Sequence, residues 1–193
     1  MHRVSTLSVL LLLSACRTDP GTPTESISPA EPTTVDDLVV TSDHCTTCKF
    51  RWFKDMEPQD QIEGDTVTSD LTSRGEEWSV LVTDSVDGVE GVPAEASAVV
   101  VNAAPTEPTI SVSHDKDLLC VIDQESTDAD GDEVTYTFSW AVDGVSFEAA
   151  EDADYLGDKI NVPDLELGQI WICTVTASDG DTPAEAVSEQ IEV

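Results

Sequence analysis

Two clusters in this chain hold residue types that can build a site. Cys45-Thr46-Thr47-Cys48 has the spacing of a redox pair, of half a zinc site, or of a small disulfide loop. A redox pair belongs at the start of a helix, whose dipole lowers the thiol pKa; here strand-like residues follow at once. A structural zinc takes four ligands, yet only His44 adjoins the pair and His114 lies far along the chain. The second cluster, Asp128-Ala129-Asp130-Gly131-Asp132-Glu133, alternates carboxylates across a turn. Such a run offers the several oxygens that calcium takes. It is no EF-hand, because the glycine comes too early and Ser139 stands in place of the closing Glu. A solvated turn, with Asp and Gly serving backbone geometry, is the competing reading. His44 and His114 belong to no nucleophile motif and no metal pair at helical spacing, so catalysis is not expected.

The elements that position these clusters have a period of two. Val134, Tyr136, Phe138 and Trp140 share one face of a strand, with Thr135, Thr137 and Ser139 on the other. Trp171, Cys173, Val175 and Ala177 repeat the pattern. Asp143-Gly144 and Asp179-Gly180 offer the positive φ that tight hairpins need. The unit occurs twice. Phe50-Arg51-Trp52 and Asp55 match Phe138-Ser139-Trp140 and Asp143, while Gly75, Trp78, Val80, Val82 and Asp87-Gly88 match Gly168, Trp171, Cys173, Val175 and Asp179-Gly180. Asp37-Leu38-Val39-Val40 aligns with Asp117-Leu118-Leu119-Cys120, and Ile27-Ser28 with Ile110-Ser111. The expectation is an all-β chain of two tandem sandwiches, residues 24–102 and 106–193, joined by a linker at 103–105.

Cys120 on an early strand, Trp140 on the next and Cys173 on a late one, with Trp171 two residues before it, resemble the immunoglobulin fold. The Asp-rich loop and the Tyr-x-Phe-x-Trp strand look more like bacterial Ig-like, PKD-like and cadherin-like repeats. The resemblance implies an inter-sheet disulfide between Cys120 and Cys173, packed on a buried Trp. The first repeat has Val40 and Val80 at those places, which leaves Cys45 and Cys48 to pair locally. In the same topology the Asp128–Glu133 loop and the Asp179-Gly180-Asp181 loop emerge at the end where the linker carries Asn102. The cadherin-like resemblance therefore implies a calcium ion between the domains, held by Asp128, Asp130, Asp132, Asp179, Asp181 and Asn102, with Glu76 and Glu77 arriving from the first domain.

Residues 1–15 have a basic start, His2 and Arg3, then an apolar run from Leu7 to Leu13, the build of a cleavable signal peptide. Leu13-Ser14-Ala15-Cys16 resembles the lipobox of bacterial lipoproteins. That implies acylation of Cys16, attachment to the membrane through the lipid, and, with Arg17 rather than Asp next, an outer-membrane address on the periplasmic or surface face. Residues 17–23 read as a flexible tether with a full reach of about 20 to 25 Å. The chain ends right after its last expected strand, so no further recognition domain is expected at the tip.

The formal charge of −32 excludes nucleic acid as a partner and leaves cations attractive. Together these features describe an envelope-anchored structural, adhesion or protein-interaction module stiffened by calcium. A lipoprotein binding a glycan or peptide, with Tyr155 as the exposed aromatic, and an accessory subunit of an envelope complex are the alternatives.

Overall fold

The structure is a computed structural model and describes residues 24–43, 47–147, 157–160 and 165–193. Among the described residues it is all-β, with one short 3-10 turn at Ser69–Leu71. The alternating strands fold into sheets that hide one side of each strand, as half-buried antiparallel strands must.

The first repeat contains β1 (Glu25–Ser28), β2 (Leu38–Ser42), β3 (Cys48–Lys54), β4 (Glu57–Pro58), β5 (Thr66–Val67), β6 (Glu77–Val86), β7 (Val89–Glu90) and β8 (Ala94–Val99). One sheet has the order β1-β2-β5; the other runs β4-β3-β6, with β7 and β8 both on β6. The second repeat contains β9 (Thr109–His114), β10 (Leu118–Gln124), β11 (Thr135–Val142), β12 (Val145–Phe147), β13 (Gly157–Ile160), β14 (Ile170–Ser178) and β15 (Val187–Glu192). Its sheets are β9-β10-β13 and β12-β11-β14-β15.

Each core is built on two tryptophans set edge to face. Trp52 and Trp78 lie 6.4 Å apart at an interplanar angle of 72°; Trp140 and Trp171 lie 6.3 Å apart at 75°. All four are almost fully buried. A buried indole N–H must find an acceptor, and the repeats supply them in parallel. Trp52 donates to the Gly64 carbonyl and Trp140 to Asp158, at 3.1 and 2.8 Å. Trp78 donates to Glu76 and Trp171 to Gln169, each two residues upstream.

Cys120 and Cys173 form a disulfide between the two sheets of the second repeat, with Cα atoms 6.4 Å apart. In the first repeat Val40 pairs with Ile27, and Val80 faces Trp52 across β3 and β6. Both valines are buried, so apolar packing occupies the place of the bridge. Cys48 is also disulfide-bonded. Cys45, Cys16 and Tyr155 lie outside the described residues.

Two local expectations are corrected. Asp143-Gly144 does form a tight turn with positive φ at both residues, as does Asp87-Gly88. Asp179-Gly180 does not: only Gly180 has positive φ, and the chain runs on to β15 at Val187. The Asp179 carboxylate instead accepts the N–H groups of Asp181 and Thr182, which folds a longer loop. The second correction is one of register. Val112 pairs with Cys120 as Ile27 pairs with Val40, so Val112, not Ile110, is the partner of Ile27 in the repeat.

The disulfide spans a sequence separation of 53 residues, for which loop-closure entropy gives about 4 kcal/mol of stabilisation. Replacing both Cys120 and Cys173 by Ala should lower the stability of the second sandwich by an amount of that order. The first should be unchanged, as read by urea unfolding with residue-resolved NMR signals.

Candidate functional site

The carboxylates singled out in the sequence meet where the two sandwiches join, and each loop is shaped by its own aspartate. Asp128 accepts the backbone N–H groups of Asp130 and Asp132 at 2.8 and 3.1 Å, curling the loop around Gly131, which has φ of +81°. Asp179 curls the other loop in the same manner. Between them runs the linker, whose Ala103 is buried and donates its N–H to Asp130 at 2.9 Å.

The centre of this junction is a side chain from the first sandwich. Arg74 stands just before Gly75, whose φ of +88° turns the chain into β6. Its guanidinium donates to Asp132 at 2.6 and 3.4 Å and to the Asn102 amide oxygen, and lies 3.6 Å from Asp181. Asn102 then donates through its amide nitrogen to Asp179 at 2.7 Å and to its neighbour Ala103. One cation and one amide thus tie the loop before β6, the linker and both Asp-rich loops of the second sandwich. Charge-assisted bonds of this kind are roughly twice as strong as neutral ones.

The electrostatics follow from these contacts. Arg74 is held above its ordinary pKa by its bond to Asp132, with Asp130 and Asp181 adding to the effect. Asp179 is held below its ordinary value, first by the Asn102 amide and then by the Thr182 N–H.

Of the residues expected at a calcium site, Asn102, Asp132 and Asp181 contact Arg74 directly, Asp179 does so through Asn102, and Asp130 holds the linker. Asp128 lies behind them as the support of its loop. Glu76 and Glu77 take other roles. Glu76 accepts from Lys54 at 3.0 Å and from Trp78, while Glu77 donates its backbone N–H to the Asp55 carboxylate. Among the described residues, no group of three or more His, Cys, Asp or Glu is arranged to hold a metal ion. The guanidinium sits among the carboxylates that a calcium ion would share, so these residues as arranged do not fit the ion. Arg74 was missed by sequence reasoning. Its one signal was that no other Lys or Arg lies between Lys54 and Lys116, which does not say which domain the side chain faces.

His114 is the last residue of β9 and is exposed. No helix of the described residues is long and apolar enough to cross a membrane.

No protein-family model matches this chain, and no curated protein matches it in sequence. Solved structures are similar in fold. The chicken interferon gamma receptor alpha chain superposes with a TM-score of 0.54 at 12% identity, over 90% of this chain and 98% of that one. A segment of two fibronectin type III domains from chicken tenascin gives 0.41 at 12%, over 90% and 100%. The FN1–FN3 domains of chicken CNTN1 give 0.35 at 10%, over 90% and 67%. The receptor chain carries the likeness, which is one of fold alone: a tandem arrangement of immunoglobulin-like β-sandwiches.

Two outcomes follow. Replacing Arg74 by Ala should broaden the distribution of angles between the sandwiches in small-angle scattering and leave the melting of each sandwich nearly unchanged. Acid should act late. Because the folded pKa of Asp179 is depressed, its contribution is present above the ordinary value of 3.8 and fades only as pH falls through the lower folded value. The scattering profile should therefore stay constant through mildly acidic pH and change below 3.8.

Proposed function

We propose that this chain is a lipid-anchored, non-enzymatic interaction module of a bacterial outer membrane, two β-sandwiches held at a set angle above the lipid. The observation that carries this reading is the junction: a cation from one sandwich and an amide from the linker engage both loops at the near end of the other. A relay of that kind suits a module that presents a surface to an envelope protein rather than one that encloses a substrate. An immunoglobulin-like sandwich hosts many roles, and the solved structure of similar fold is a receptor chain, a role compatible with this reading at the level of architecture.

Anchoring rests on the sequence, through Cys16 and the apolar stretch before it. Acyl chains contribute about 0.8 kcal/mol per buried methylene, and two or more chains make attachment stable. Stiffness is assigned to Arg74 rather than to calcium.

Replacing Cys16 by Ser should move the protein from the membrane fraction to the soluble envelope fraction without altering its fold. Photo-crosslinking of the anchored chain in intact cells should then recover a discrete protein partner; capture of glycan alone would support the glycan-binding alternative. Melting of the chain in calcium and in EDTA should coincide, since a ligand that bound only the folded state would raise the transition.

A further inference from the structure

The first sandwich carries a second feature that the junction does not use. Three of the eight basic residues of the chain, Lys49, Arg51 and Lys54, fall on the seven-residue strand β3. Lys49 is paired with Glu90 and Lys54 with Glu76. Arg51 has no carboxylate within ion-pair distance among the described residues; its guanidinium lies over the Phe53 ring at 5.2 Å. In a chain with forty acidic side chains, an exposed arginine left without one is a binding group in waiting.

The strand that bears Arg51 also has an open edge. Ser85 donates to the Thr47 carbonyl and Asp55 to that of Glu77, which fixes the parity of the β3–β6 ladder. Lys49, Arg51 and Phe53 are the hydrogen-bonded partners of Thr83, Leu81 and Ser79, so the backbone groups of Phe50 and Trp52 point away from β6. At Trp52 the carbonyl accepts the Gln59 N–H, and β4 pairs only with Phe53 and Lys54. The N–H and C=O of Phe50 therefore face outward without a strand partner among the described residues. Beside them is a cleft of about 690 Å³ lined by Phe50, Arg51, Ile62, Leu81 and Pro93, with Asp60 and Glu63 on the 59–64 loop that forms its other wall.

The second repeat supplies an internal contrast. There β11 occupies the same place, and the residues matching Lys49 and Arg51 are Thr137 and Ser139, both uncharged. The positive charge belongs to the β3 edge and not to the fold.

We propose that the edge of β3 at Phe50 docks an extended, acidic peptide segment of a partner protein. The segment adds as a strand through the Phe50 N–H and C=O, sets a carboxylate against Arg51 and places an alternate apolar side chain in the cleft. Asp60 and Glu63 repel a carboxylate from the loop wall and so confine it to the Arg51 side. The proposal rests on the reading of the chain as an interaction module and names the partner chemistry.

The test uses the full-length chain in detergent, titrated with short alternating Glu–Val, Gln–Val and Lys–Val peptides, with amide hydrogen exchange read at each residue. The Glu–Val peptide should protect the Phe50 amide and bind about tenfold more tightly than its Gln–Val isostere. Arg51→Ser, which installs the second repeat's residue on an exposed face, should abolish that preference; Arg51→Glu should transfer it to the Lys–Val peptide. No protection at Phe50, equal binding of the three peptides, protection at another edge, or self-association of the chain through β3 would each overturn the proposal. A cellular partner crosslinked only at a distant surface would overturn the β3 site while leaving the module reading in place; recovery of no partner at all would instead strike that reading.

Discussion

Excess negative charge is the constraint around which this molecule is built. Loops rich in aspartate repel one another when two domains bring them to one place, and some cation must sit between them. Here it comes from the chain itself, as the guanidinium of Arg74, which reaches Asp132, Asp181 and the Asn102 amide. A planar guanidinium presents several donors in fixed directions, so it neutralises charge and orients the groups it touches. The aspartates in turn curl their own loops, and Asn102 passes the contact on to Asp179. Remove the cation and the loops keep their turns but lose what draws them toward the first sandwich.

Below that junction the two repeats answer the same packing demand with different chemistry. Each buries an edge-to-face tryptophan pair and satisfies every indole N–H. The first uses a backbone carbonyl and two valines where the second uses the Asp158 carboxylate and a disulfide. The second core thus gains from a cross-link that restrains the unfolded chain, while holding a buried carboxylate that is kept there by its bonds to Trp140 and to the Lys159 N–H. Equivalent backbones can then be specialised on their outer faces, as the charged β3 and the uncharged β11 are.

Much of this was legible from residue types alone. The period of two, the twofold repeat and the Trp-Cys constellation place the strands and both inward faces. Topology then brings the acidic loops to one end with Asn102. What was not legible depends on single side chains acting across the fold. Arg74 lies in a loop with no periodicity, and nothing local says which domain its side chain faces. Asp179-Gly180 has the composition of a tight hairpin, yet the Asp side chain captures two backbone N–H groups and lengthens the turn. Ile27 and Ile110 align in sequence, but the connection from β1 to β2 (29–37) is longer than that from β9 to β10 (115–117), so the residue facing Cys120 is Val112. The open edge at Phe50 follows from ladder parity, which composition does not encode.

The most direct test of the built-in cation is to measure residual dipolar couplings of the wild-type chain in the presence of EDTA. If Arg74 and Asn102 hold the sandwiches together without any added ion, one alignment tensor fits the backbone couplings of both. Two independent tensors, merging into one only when calcium is added, would contradict the account and return the junction to a metal ion.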